Sequence, residues 1–397
     1  MSRLRDLPAI GTIGRYQVLG RLAKGGMAEI FLAREDGPRQ AWRPLVVKRI
    51  LPHAAEDAVY VESFVHEATL SMRLRHPNIC AVYEFGEERG TYYLAMEFVA
   101  GVSLRELLDR AGTLPIPLVV RVVADIAAAL HHAHTMTDDE GNPLAIVHRD
   151  VTPENIMIGY DGHVKLLDFG IAKARSQTQK TQDGVLKGKT PYMSPEQYRG
   201  EEVDGRADLF SLGATLYEAL TGTNPFVRAS EAGTVAAILF EDAPPAPSSL
   251  RLDIPDSLDE LCRMAVERDL AKRIPSGDAF ARALETWLRR EGEEVRPRQM
   301  ASYLGGYFSE KKAAGPKLDR TPLEVRKVDP LASAANSAEL DDFVGAALRA
   351  QKRKQATVVF VGAAIVLGVL GFFAWRLLTA PAPPPSSDAP VVEEPSG

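Results

Sequence analysis

The sequence predicts an α+β fold with a membrane-crossing helix after it, and three observations carry that expectation. Arg15 to Leu22 reads as an alternating strand that turns through Ala23 to Ala28 into a second strand ending at Ala33. Leu118 to His134 repeats apolar residues at helical spacing. Ala356 to Trp375 carries no charge and is long enough to cross a bilayer core of ~30 Å.

Composition narrows the class. At 397 residues and 45% hydrophobic content the chain can bury a large core and hold more than one structural unit. A net charge of −6 leaves no footprint for nucleic acid. Cys80 and Cys262 lack metal-ligand spacing and cannot build a disulfide framework, which suits a reducing cytosol. Met1 to Asp6 shows no signal-peptide core, and no internal repeat is present.

The chain is organised around His148-Arg149-Asp150, with Asn155 five residues after the aspartate, followed by Asp168-Phe169-Gly170. A lone Asp-Phe-Gly is often a plain turn after a strand. Here two motifs come in order, beside the apolar runs Ala145 to Val147, Ile156 to Ile158 and Val164 to Leu167. Together they resemble the catalytic and metal loops of the bacterial eukaryotic-like (Hanks-type) serine/threonine protein kinases. That resemblance implies a two-lobed protein kinase fold over 15–290. A small antiparallel-sheet lobe with helix C would take about 15–98, and a large, mainly helical lobe about 99–290. It also implies ATP and Mg²⁺, with Asp150 as base and Asn155 and Asp168 as the hard oxygen ligands that magnesium prefers.

The same resemblance places the nucleotide. Leu22-Ala23-Lys24-Gly25-Gly26-Met27-Ala28-Glu29-Ile30 is similar to the glycine-rich loop, whose bare backbone lets amides approach phosphates. Lys48 ends the apolar run Leu45-Val46-Val47, where an unpaired ammonium is costly, and is read as the phosphate clamp with Glu67 as its partner. Tyr92 to Gly101 resembles the last small-lobe strand and the hinge, with Met96 as gatekeeper. The backbone of Glu97 and Val99 would meet the adenine edge, and Leu22, Ile30, Val46 and Met157 would sandwich the ring.

Further landmarks fall in family order. The polar segment 171–190 corresponds to the activation loop, with Arg149 and Lys173 as a basic pocket for a phosphate on Thr181, then Thr178, then Ser176. Glu196 would pair with Arg273, and Asp208 would brace the catalytic loop. His131 and His134 share a face of the long helix. Without a carboxylate or cysteine at ligand spacing they read as helix-end histidines.

Three residues or groups depart from the family pattern. Ala23 and Ala28 replace the first and third loop glycines, Thr152 stands where serine/threonine kinases carry a phosphate-contacting lysine, and Lys189 occupies the usual substrate-loop threonine position. Losing one such donor slows transfer by about 10²-fold if nothing replaces it. The loop leaves the hydroxyl preference open. The alternative reading is a membrane-tethered pseudokinase that holds nucleotide without turnover.

Past the domain, 291–355 reads as a juxtamembrane segment and linker, with a short helix over Met300 to Phe308 docking on the large lobe and another over Leu340 to Ala350. The anchor is expected over 356–378. Arg349, Lys352, Arg353 and Lys354 precede it and only Arg376 follows, which orients the kinase domain to the cytoplasm and the Pro-rich tail 379–397 outside. Expected partners are therefore protein substrates and the inner membrane, crossed once. Ala364 and Gly368, four apart, permit close helix approach and a homodimer.

Overall fold

Residues 2–55, 57–169 and 190–323 are described by the computed structural model, and all of them belong to one unit, Met1–Arg326. Ser176, Thr178, Thr181, Lys173 and Lys189, the helix over Leu340 to Ala350, the membrane span 356–378 and the Ala364–Gly368 pair lie outside the described residues.

Alternation builds the small lobe. After a one-turn helix α1 (Ser2–Arg5), strands β1 (Gly11–Ile13), β2 (Tyr16–Lys24), β3 (Ala28–Asp36), β4 (Trp42–Ile50), β5 (Val82–Glu88) and β6 (Thr91–Glu97) form one antiparallel sheet in the order β1-β2-β3-β4-β6-β5. Phe31 and Ala33 turn to one face with Val18, Leu45, Val47 and Ala95, while Leu19 and Leu32 turn to the other. Helix α2 (Ala58–Ser71) buries Phe64, Val65 and Ala68, and Phe64 meets Phe85 of β5 with ring centroids 6.2 Å apart. Residues 11–13, read from sequence as an extension, pair with β2 as the edge strand.

The large lobe begins with β7 (Gly101–Ser103) and α3 (Leu104–Ala111), then α4 (Ile116–His134), β8 (Ile156–Gly159) and β9 (Val164–Leu166), and continues through α5 (Pro195–Arg199), α6 (Arg206–Thr221), α7 (Glu231–Leu239), α8 (Asp256–Ala265), α9 (Gly277–Arg290) and α10 (Pro297–Ala314). Helix α4 is apolar nearly all round, the signature of a helix enclosed by neighbours. Among the described residues it is the one helix long and apolar enough to cross a membrane, yet two thirds of it is buried, and it is the core of this lobe. Helix α9 starts hard against it. A side chain at Gly277 would place its Cβ 2.4 Å from the Ala127 carbonyl oxygen, so glycine alone fits.

The segment expected to be a short helix over Met300 to Phe308 is the longer α10, which buries Met300, Leu304 and Phe308 against the large lobe. The following residues are also ordered: 316–323, read from sequence as linker, lie on the small lobe. Both cysteines are buried, and burial pushes their thiols up.

Candidate active site

Strand pairing places the clamp. Lys48 pairs with Ile30 on one side and Leu94 on the other, mid-sheet, so its stem is buried and its ammonium projects inward. There Lys48 Nζ donates to Glu67 Oε1 of α2 at 3.3 Å and to Asp168 Oδ2 at 3.1 Å. Burial pulls the ammonium toward neutrality, but the charges of Asp168 and Glu67 outweigh it and hold Lys48 above the ordinary lysine value. The two carboxylates thus favour the charged ammonium. Glu67, only 5% exposed, is supplied by a helix whose buried face fixes its approach.

The catalytic loop is held from below. Asn155 Nδ2 donates to Asp150 Oδ2 and to the Asp150 carbonyl, each at 2.7 Å. The Asn155 carbonyl accepts the Leu167 amide at 2.8 Å, tying this loop to the one that carries Asp168. With its amide nitrogen committed to Asp150, Asn155 turns its Oδ1 to the acceptor role, and the Asp168 carboxylate that meets Lys48 is a second hard oxygen donor. This pair fits a hard divalent cation. Below, the His148 ring donates from Nε2 to the Leu167 carbonyl, 2.8 Å away, and its centroid lies 4.6 Å from that of Phe169.

Asp208 is the brace. Fully buried on α6, its carboxylate accepts the amides of His148 at 2.8 Å and Arg149 at 2.7 Å, and bonds His134 Nε2 at 2.8 Å. Burial raises its carboxyl, but His134, with help from His148, outweighs that and leaves it below the usual carboxylate range. Glu196 and Arg273 form a buried two-toothed pair at 2.6 and 3.1 Å. His134 is thus a partner of Asp208.

The hairpin β2–β3 carries Lys24 exposed at its tip. The turn closes with the Gly25 amide on the Ala28 carbonyl at 2.8 Å, and Gly26 has open space around its α-carbon. Ala23 follows a bulge in the pairing with β3, Met27 accepts the Leu51 amide, and Ala28 and Ile30 already pair with β4. Glu29 points elsewhere. It is buried and its carboxylate takes Arg21 at 2.7 Å and Arg49 at 3.0 Å, so the side chain is engaged along the sheet and away from the turn. Neither guanidinium partner was evident from spacing.

At the hinge, Met96 is buried and lines a small cavity with Glu67, Leu74, Cys80, Asp168 and Phe169. The Glu97 amide already donates to Ala81 at 2.8 Å and its carboxylate meets Lys165 at 2.9 Å, so its backbone carbonyl is what it can offer a ligand. Val99 lies between β6 and β7, Val46 sits in β4 opposite Met96, and Leu22 and Met157 lie in β2 and β8. Thr152 is 2% exposed, and its hydroxyl has no hydrogen-bond partner among the described residues.

The protein kinase domain family matches residues 16–285. Tyrosine-protein kinase MasK of Myxococcus xanthus is 43% identical over 310 residues, which cover 77% of this chain and 48% of that protein. Serine/threonine-protein kinase PknD of Mycobacterium tuberculosis is 36% identical over 277 residues, covering 69% of this chain and 40% of its own length. The crystal structure of the Mycobacterium tuberculosis PknI kinase domain superposes with a TM-score of 0.53 at 29% identity, over 70% of this chain and 98% of that one. The chain spans about half the length, or less, of these two curated relatives. A small antiparallel lobe, a helical lobe and this motif order have one common explanation: the chain belongs to the protein kinase family.

Proposed function

We propose that the protein is an ATP-dependent kinase of the bacterial serine/threonine type, anchored in the inner membrane by one helix over 356–378 and acting on proteins from the cytoplasmic side. The observation that carries the reading is the linked set Glu67–Lys48–Asp168 and Asp150–Asn155, joined through the Leu167 amide. Five charged or amide groups from four separate elements converge there, and phosphoryl transfer asks mainly for such positioning.

In this mechanism Lys48 holds the α- and β-phosphates, and Glu67 aims it. Asp150, kept in place by Asn155, orients the substrate hydroxyl and takes its proton as the oxygen attacks the γ-phosphorus and the bond to the β–γ bridging oxygen breaks, releasing ADP. Magnesium held by Asn155 and Asp168 neutralises phosphate charge when bound. Leu22, Ile30, Val46 and Met157 wall the adenine, with the Glu97 carbonyl and the Val99 amide at its edge. The backbone of Lys24 to Ala28 covers the phosphates. A phosphate on Thr181 of the activation loop is part of the same proposal, as is dimerisation through Ala364 and Gly368.

Thr152 favours keeping a second specificity in view, since the lysine expected of serine/threonine enzymes is absent and one relative is named a tyrosine kinase. The test uses the full chain in membrane vesicles with labelled ATP, magnesium and a general protein substrate, beside Lys48→Met and Asp150→Asn. Label on phosphoserine and phosphothreonine that disappears in both variants is the expected result. Label on phosphotyrosine alone overturns the hydroxyl preference. Nucleotide binding without any transfer replaces the enzyme with a binding platform.

A further inference from the structure

Helix α10 seats Pro297–Ala314 on the large lobe, through Met300, Leu304 and Phe308 in its core. Arg110 lies over the Phe308 ring at 5.6 Å and Lys312 over Tyr160 at 5.7 Å. At Gly315, whose φ of 77° turns the backbone, the chain leaves the helix and passes to the other lobe.

There it docks on the outer side of β2. The Arg21 amide donates to the Asp319 carbonyl at 2.8 Å and the Asp319 amide returns the bond to Arg21 at 2.9 Å, one antiparallel bridge between residues 298 apart. Leu318 joins the apolar cluster of Leu4, Leu19, Leu22, Leu32 and Phe98, and Leu323 packs on the cluster of the opposite face. The seat is shaped for this segment. A Cβ on Gly20 would lie 2.8 Å from Leu318 Cβ and 3.1 Å from the Asp319 carbonyl oxygen, and one on Gly11 would lie 2.9 Å from Leu323 Cδ1.

The side chain of Asp319 reaches further. One carboxylate oxygen accepts the Thr321 hydroxyl at 2.7 Å and amide at 3.0 Å, and the other meets the Arg21 guanidinium. Arg21 in turn holds Glu29, which Arg49 holds from β4. Arg21 stands just before the glycine turn and Glu29 just after it, so this chain of charges spans the base of the hairpin.

We propose that residues 315–323 are a strap that pre-shapes the phosphate-binding hairpin, with Asp319 as a positioning residue acting through Arg21 and Glu29. The strap lies beyond the family-matched residues 16–285, so nucleotide affinity depends on chain outside the kinase domain. It rests on the reading that this hairpin covers ATP phosphates. Its contacts are on the outer face and base of the hairpin, so it affects how well the loop is formed before ATP arrives. It does not touch the reacting groups. That predicts a change in ATP affinity with turnover at saturation preserved.

The experiment uses the full chain and compares Asp319→Ala, Asp319→Asn and the double change Leu318→Ala with Asp319→Ala. Amide hydrogen exchange over residues 19–29 is followed with and without magnesium-ATP, alongside steady-state transfer. Asp319→Ala is expected to speed exchange there and raise KM for ATP about threefold, with kcat within twofold. Asp319→Asn falls between it and wild type, and the double change reaches about tenfold. Unchanged exchange and KM in the double variant overturn the strap, as does a fall in kcat at constant KM. If ATP slows exchange in wild type and the variants lose that response, yet no protein transfers phosphate, the strap stands and the kinase reading fails.

Discussion

The Arg149 amide donates to the Asp208 carboxylate at 2.7 Å while Arg149 holds a left-handed backbone, φ 63°. That conformation costs an arginine about 1–2 kcal/mol, and the buried carboxylate offsets it.

Asp208→Asn leaves one acceptor oxygen for two amides. Turnover should fall at least tenfold and stability by about 2–4 kcal/mol, read by phosphate transfer and urea unfolding. The pH response has a definite sign. Because the Asp208 carboxyl is lowered in the folded state, its stabilisation is present above the unfolded carboxylate value and lost as pH falls through the folded one. The asparagine variant should therefore lose less stability on acidification than wild type.

Arg273 and Glu196 are sealed from water, with side chains 0% and 4% exposed. Arg273→Met strands a buried carboxylate and should cost about 3–5 kcal/mol in thermal or chemical unfolding. Adding Glu196→Leu should recover much of that loss. Failure of the second change to recover any would mean the pair stabilises through its other bonds, to the Glu267 and Arg206 carbonyls.

Thr152→Val removes a buried hydroxyl that bonds nothing among the described residues. Stability should stay level or rise by up to about 1 kcal/mol, and turnover should hold within twofold. A drop of about 10²-fold in kcat would instead show that the hydroxyl reaches the transferring phosphate.

Gly277→Ala pushes a methyl into the Ala127 carbonyl, and a loss of about 1–3 kcal/mol is expected, seen as a lower urea midpoint at constant slope. Gly26→Ala is its counterpart. Space there is open, so stability should hold, while the proposed phosphate-binding role of this hairpin predicts a rise in KM for ATP.

Much of the site was legible because its chemistry is local or rigidly spaced. Asp150 and Asn155 lie on one loop, and Lys48 ends an apolar run whose strand must be buried, so its need for a carboxylate could be read directly. Side-chain direction was less accessible. Glu29 sits beside the glycine turn in sequence, yet it turns to Arg21 and Arg49, a choice set by strand register. The segment after α10 was illegible for a different reason. Its Pro, Ala and charge content matches a linker, and its order comes from two leucines and one aspartate meeting a surface nearly three hundred residues earlier. The same distance hid what covers Gly11, whose neighbour Leu323 comes from that segment.

The bridge between Arg21 and Asp319 also sets an order of events during synthesis. Ribosomes deliver the chain from its N-terminus at roughly 5–20 residues per second, and domains fold as they emerge. The small-lobe sheet and the helical lobe are complete in sequence before Asp319 is made, so the hairpin first forms without its outer partner. A nascent chain halted before residue 315 carries every residue that the family match covers, but its Gly20 face lies open to water. A stretch made after both lobes finishes one of the first strands laid down.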